Sequence, residues 1–269
     1  MCAVFSRREQ KSTKGKDMRV IFWAGDSTNT CNKANKYPQT GIAQAFDRFT
    51  AFDVVIYDHA VNGRSTKSFI DQGRLAIIYD EIREGDFLFI QFGHNDEKKT
   101  DLSRYTDPDS DFIDNLGKYV NVARNKGAIP LLITPIERRN FEADGIHMRE
   151  STHKAYVEGY YKAAERFRVP LIDLCKASHA FLESIGDEPS KRFFMHIKPG
   201  EVFWLPDGLS TDNTHLKYEG AMKFGELLAR ELVEYGEPYA SLIDISVLKD
   251  LDMVYEANLH DEGVADEYR

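Results

Sequence analysis

The chain has 269 residues, 42% hydrophobic and 29% charged, with 44 acidic side chains against 35 basic ones for a formal charge of −9. That composition is globular, and a mean hydropathy of −0.47, with no apolar run approaching the roughly 18 residues of a membrane span, excludes a transmembrane helix. A pI near 5.4 also argues against nucleic acid as a partner, because phosphate contacts need clustered Lys and Arg.

Residues 1–17 form a basic leader in which Arg7, Arg8, Lys11, Lys14 and Lys16 face only Glu9 and Asp17. The leader has no apolar segment and no small-residue cleavage site, so it is read as flexible and not as a secretory signal. Cys2, Cys31 and Cys175 are odd in number and widely spaced, matching neither a disulfide framework nor a metal knuckle. A cytoplasmic location is the expectation that follows.

From Met18 the run MRVIFWA ends at Gly25 and predicts a buried strand. Similar runs follow at Asp53–Tyr57, Phe87–Phe92, Ile129–Thr134 and Val169–Leu174, each apolar along nearly its whole length. Unbroken apolar runs predict strands covered on both faces. Between them, Ile42, Ala45, Phe46 and Phe49, then Ile70, Leu75, Ile78 and Ile82, then Phe112, Leu116, Val120 and Ala123 fall at helical spacing. Further helices are predicted over Arg149–Phe167 and Tyr218–Tyr235. Alternating strands and helices predict an α/β fold, a three-layer αβα sandwich around a doubly wound, mainly parallel five-stranded sheet. The predicted division is a leader over 1–17, one domain over 18–240, and an acidic extension over 241–269 that packs on the domain or trails from it, its last ten residues disordered. An apolar stripe in that extension would cover the body or pair subunits in a homodimer.

In such sheets ligands bind beyond the carboxyl ends of the strands. There the sequence places Gly25-Asp26-Ser27-Thr28-Asn29, Asn62-Gly63-Arg64-Ser65, Gly93-His94-Asn95-Asp96 and, after the last candidate strand region, Asp212-Asn213-Thr214-His215. Singly, each is equally a turn or a helix cap. Together they supply a hydroxyl, an Asp/His pair, a glycine and an amide, the parts of an acyl-transfer site. Ser65 and Ser210 are weaker nucleophile candidates, Cys31 lacks a base of its own, and His196 reads as a partly buried side chain. No His-x-x-x-His or His-Glu-x-x-His occurs, so no metal site is expected.

These four blocks resemble those of the GDSL or SGNH hydrolases, with Thr28 in place of the leucine of that name. A narrower resemblance is to rhamnogalacturonan acetylesterase-type carbohydrate esterases. It rests on Gly25–Thr28, Ala60–Ser65, Phe92–Asp96, Thr134–Arg139, and Lys198–Glu201 leading to Asp212–His215, and it spans Arg19 to about Tyr235. The resemblance implies Ser27 as nucleophile, His215 as base and Asp212 as the group that orients it. It also implies an oxyanion hole built from the Ser27 and Gly63 backbone N–H groups and the Asn95 side chain, with no metal or cofactor. Its implied function is removal of O-acetyl groups from plant cell-wall carbohydrate, such as pectin-derived oligosaccharides. A lipase, a thioesterase and a non-catalytic carbohydrate-binding module on the same fold are the alternatives. His94 is read as support. Arg138 and Arg139 are expected to pair with uronate carboxylates, and Tyr37, Phe141, Phe203, Trp204 and Asp207 to meet sugar.

Overall fold

The structure, a computed structural model, describes residues 18–202 and 209–265, with backbone alone for 256–265. In chain order the regular elements are β1 (Arg19–Gly25), α1 (Ile42–Ala45), β2 (Val54–Asp58), α2 (Thr66–Asp71), α3 (Arg74–Glu81), β3 (Phe87–Gln91), α4 (Asp111–Asn125), β4 (Ile129–Ile133), α5 (Lys154–Phe167), β5 (Leu171–Ile172), α6 (Leu174–Ile185), α7 (Asp187–Ser190), β6 (Phe194–Ile197), β7 (Ser210–Leu216), α8 (Tyr218–Tyr235) and α9 (Ile245–Ala265). All five expected strands are present, in the order β2-β1-β3-β4-β5 and every pair parallel.

The unbroken apolar strands are explained by two cores, one on each face of the sheet. Ile21 and Trp23 of β1, with Phe87 and Phe89 of β3 and Leu131 and Ile133 of β4, enter the core closed by α1, α6 and α8. The residues between them, Phe22, Ala24, Leu88, Ile90 and Leu132, enter the core closed by α2–α5. Because successive strand side chains point to opposite faces, a strand sandwiched between helices must be apolar at every position. Trp23 is fully buried and meets Phe46 and Phe89 edge-on at 5.3 Å.

Beyond residue 240 the chain remains part of the body. Leu242, Ile243 and Leu248 are buried in the first core, and Ala51 N–H donates to the Leu242 carbonyl at 2.9 Å. Arg230 and Glu226 of α8 hold the start of α9 through Asp252 and Tyr255. The chain through Tyr255 thus lies against the domain, and α9 runs through Ala265. The leader lies outside the described residues.

One element differs from expectation. Asp212–His215 lie inside β7, which pairs antiparallel with β6 in a separate two-stranded sheet, and do not form a loop at a helix start. Phe194 pairs with Leu216 and His196 with Thr211, so two steps along β6 match five along β7. The surplus on β7 falls at Asp212–His215. A bulge of this kind breaks the ladder and re-aims side chains, which is how a strand with no apolar alternation can turn two polar groups toward the central sheet.

Candidate active site

The order β2-β1-β3 means that the chain leaves β1 toward one side and returns on the other, opening a crevice between the ends of β1 and β3. Ser27 follows β1 and Asn95 follows β3, so the two face one another across this opening. The turn after β1 is fixed by Asp26, whose Oδ1 accepts the Thr28 N–H at 2.9 Å and the Thr28 hydroxyl at 2.8 Å. Ser27 is held in this turn and is 7% exposed.

His215 reaches it from β7. Its Nε2 lies 2.9 Å from Ser27 Oγ, and its Nδ1 lies 2.7 Å from Asp212 Oδ2. Asp212 Oδ1 accepts the backbone N–H groups of Thr214 and His215 at 2.8 and 3.0 Å. Burial opposes a charge on Asp212, but the hydrogen bonds from His215 and from those two amides outweigh it and hold the carboxyl down to about 2. The carboxylate is therefore ionised beside the ring, and its position on Nδ1 leaves Nε2 to face the hydroxyl as acceptor.

β7 is anchored from outside the site. Arg139, 6% exposed, donates Nη1 to Asn213 Oδ1 at 2.9 Å, Nε to Ser190 Oγ at 2.9 Å, and Nη2 to the Asp187 carbonyl and carboxylate. Asn213 Oδ1 also meets His196 Nε2 at 2.6 Å, and the Arg139 N–H donates to the Asn213 carbonyl at 2.9 Å. Arg139 thus holds the strand that carries Asp212 and His215, a correction to its expected part in sugar binding. Arg138 does border the crevice, where its guanidinium bonds Thr214 Oγ1 and, at 2.7 Å, Glu97 Oε1.

Two glycines shape the opposite wall. Gly63 has φ of 75°, a left-handed conformation that side chains disfavour. Gly93 has φ of 145°, and a Cβ there would lie 2.8 Å from Pro135 Cγ. Ser65 is the N-cap of α2 in a capping box with Ser68, fully buried, so it is no rival to Ser27. His94 lies beneath the site with Nδ1 3.4 Å from Asp26 Oδ2, its ring 4.4 Å from that of His153. Burial pushes its pKa down to about 4, and it borders the crevice. Cys31 donates its N–H to Asp58 and is disulfide-bonded, against the reading of the cysteine count, so it offers no thiol.

The crevice encloses about 430 Å³ and is lined by Ser27, Gly63, Asn95, Asp212 and His215 together with Lys36, Lys98, Arg104 and Arg138. Lys36, Lys98 and Arg104 were not anticipated; Lys36 ends a single 3-10 turn over Ala34–Lys36, and Lys98 and Arg104 sit in the connection between β3 and α4, none of which carries a periodic signal. Among the described residues no group of three or more His, Cys, Asp or Glu side chains is arranged to hold a metal, and no helix is long and apolar enough to cross a membrane. Phe203, Trp204 and Asp207 lie outside the described residues.

Known proteins place this arrangement. Residues 24–222 match the model of the GDSL-like Lipase/Acylhydrolase family, a stretch that holds all four sequence blocks. The chain is 38% identical over 218 residues to the rhamnogalacturonan acetylesterase RhgT of Bacillus subtilis, covering 81% of this chain and 91% of that protein. It is 34% identical over 223 residues to the probable rhamnogalacturonan acetylesterase YesY of the same organism, covering 83% and 96%. Among solved structures, protein YxiM of Bacillus subtilis superposes with a TM-score of 0.69 at 25% identity; the match covers 82% of this chain and 58% of that one. With the family match spanning most of its length and two such relatives, the chain belongs to the GDSL-like lipase/acylhydrolase family of carboxylic ester hydrolases.

Proposed function

We propose that the protein is a serine acetylesterase that removes O-acetyl groups from acetylated rhamnogalacturonan or the oligosaccharides derived from it. The observation that carries this reading is the continuous line from Asp212 through His215 to Ser27, with contacts of 2.7 and 2.9 Å. In the proposed reaction His215 takes the Ser27 proton as Oγ attacks the acetyl carbonyl, and Asp212 stabilises the imidazolium that forms. The Ser27 and Gly63 N–H groups and the Asn95 amide receive the charge on the carbonyl oxygen. His215 then protonates the departing sugar hydroxyl, leaving an acetyl-Ser27 ester. Water, deprotonated by His215, attacks that ester, and His215 returns the proton to Ser27 Oγ as acetate leaves.

The substrate assignment is supported by two observations. The two relatives above carry the names rhamnogalacturonan acetylesterase and probable rhamnogalacturonan acetylesterase. The crevice is also lined by Lys36 and Lys98, cations suited to a polymer bearing sugar acids, although the chain as a whole is acidic.

The test is acetate release from acetylated rhamnogalacturonan, xylan and glucosamine oligosaccharides by the parent and by Ser27→Ala. The expected result is release from the rhamnogalacturonan fragments by the parent alone. Equal activity of the variant would remove Ser27 from the mechanism, and release from xylan alone would overturn the substrate.

A further inference from the structure

The geometry points to Arg104 as a positioning residue of the ester hydrolysis, acting through Asn95; this rests on the proposed function. Asn95 is 3% exposed, and its amide has two protein contacts of opposite polarity. Arg104 Nη1 donates to Asn95 Oδ1 at 3.3 Å, and Asn95 Nδ2 donates to the Arg64 carbonyl at 3.1 Å. Rotating the amide by half a turn would set Nδ2 against the guanidinium and Oδ1 against a carbonyl, donor on donor and acceptor on acceptor. Both contacts therefore select the same orientation. An amide nitrogen has two N–H groups, and the Arg64 carbonyl takes one of them. The second remains for an oxyanion bound in the crevice that Asn95 lines.

Arg104 is itself held. Its Nε donates to Asp101 Oδ2 at 2.6 Å, a pair three residues apart on one turn of the 96–110 connection. Its Nη1 also lies 3.6 Å from where a Cβ on Gly63 would stand. One guanidinium thus stands beside both Asn95 and Gly63, two of the three residues assigned to the oxyanion. A cation on Oδ1 draws electron density through the amide and strengthens Nδ2–H as a donor when charge develops on the substrate oxygen. Asp101 balances part of that charge in the ground state, so Arg104 orients and polarises without offering itself to the substrate as a free cation.

The experiment is a double-mutant cycle read on 4-nitrophenyl acetate, a neutral ester with no sugar or carboxylate to bind. Arg104→Ala is expected to lower kcat about tenfold with KM changed less than about twofold, and to have no further effect when Asn95 is already alanine. Thermal melts check that each variant is folded; should Arg104→Ala fail to fold, the same cycle is run with Arg104→Lys. An unchanged kcat with a raised KM, or an equal loss in the presence and absence of Asn95, would overturn the assignment. Ser27→Ala run alongside separates the two claims. If Ser27→Ala is inactive while Arg104→Ala matches the parent, only the role of Arg104 fails; if Ser27→Ala is active, the proposed function fails with it.

Discussion

Ser27 Oγ and His215 Nε2 stand 2.9 Å apart although 188 positions separate them in sequence. The contact joins the central parallel sheet to the separate β6–β7 pair, and its length depends on where β7 is held. Nothing local to either residue fixes it. The serine side depends on the Asp26 turn, and the histidine side on the β7 bulge and on Arg139 behind it.

Asp212→Asn tests the histidine's orientation without altering shape. An amide can donate to Nδ1 and so favour the tautomer with the proton on Nε2, where it can no longer accept from Ser27. Loss of about a thousandfold or more in kcat is expected, with the fold intact. Steady-state kinetics with near-ultraviolet circular dichroism checks this. A loss under tenfold would mean that His215 does not need the carboxylate.

Arg139→Met should act on stability and on rate together. The guanidinium is buried, and its removal leaves the Asp187 carboxylate and Asn213 Oδ1 each short of a donor. Breaking a buried ion pair from one side typically costs about 3 kcal/mol or more, of which less applies here because Asp187 is partly exposed. Urea unfolding should show a lowered midpoint. Because Asn213 lies between Asp212 and His215, kcat should fall as well, even far below the unfolding midpoint. Full activity in a destabilised variant would show that β7 is held without it.

How far the sequence discloses all this varies with the element. The strands were legible because burial on both faces forces every position to be apolar, a signal contained within each run. Gly25–Thr28, Ala60–Ser65 and Phe92–Asp96 were legible as sites because each is a short block at a strand end. Asp212–His215 were legible as a site block too, but not as a strand, since the side chains Asp212, Asn213, Thr214 and His215 are selected for what they bond and show neither helical nor strand periodicity. Arg139 was misplaced for a related reason: a guanidinium that ties two polar strands together and one that binds a sugar acid look identical in sequence. Arg104 offered only the spacing Asp-x-x-Arg, which by itself describes many surface turns.

Acid should destabilise the fold through His59. Its ring stacks on Phe22 at 5.6 Å, with Nε2 3.4 Å from Glu81, and burial first, then Arg74, push its pKa down to about 4. A depressed histidine is neutral in the folded state where the unfolded chain is already protonated, so the unfolded state binds more protons in that interval. The stability that His59 contributes is therefore complete above about pH 6.5 and is lost as pH drops toward about 4. His94, pushed down to about 4 by burial, adds to the slope in the same window. His59→Phe keeps the stacking on Phe22 and removes the titration. Calorimetry from pH 7.5 to 4.5 should show a shallower decline of Tm in the variant than in the parent, whatever their Tm values at neutral pH. Parallel curves would mean that His59 is protonated in the folded protein, with Glu81 compensating for its burial.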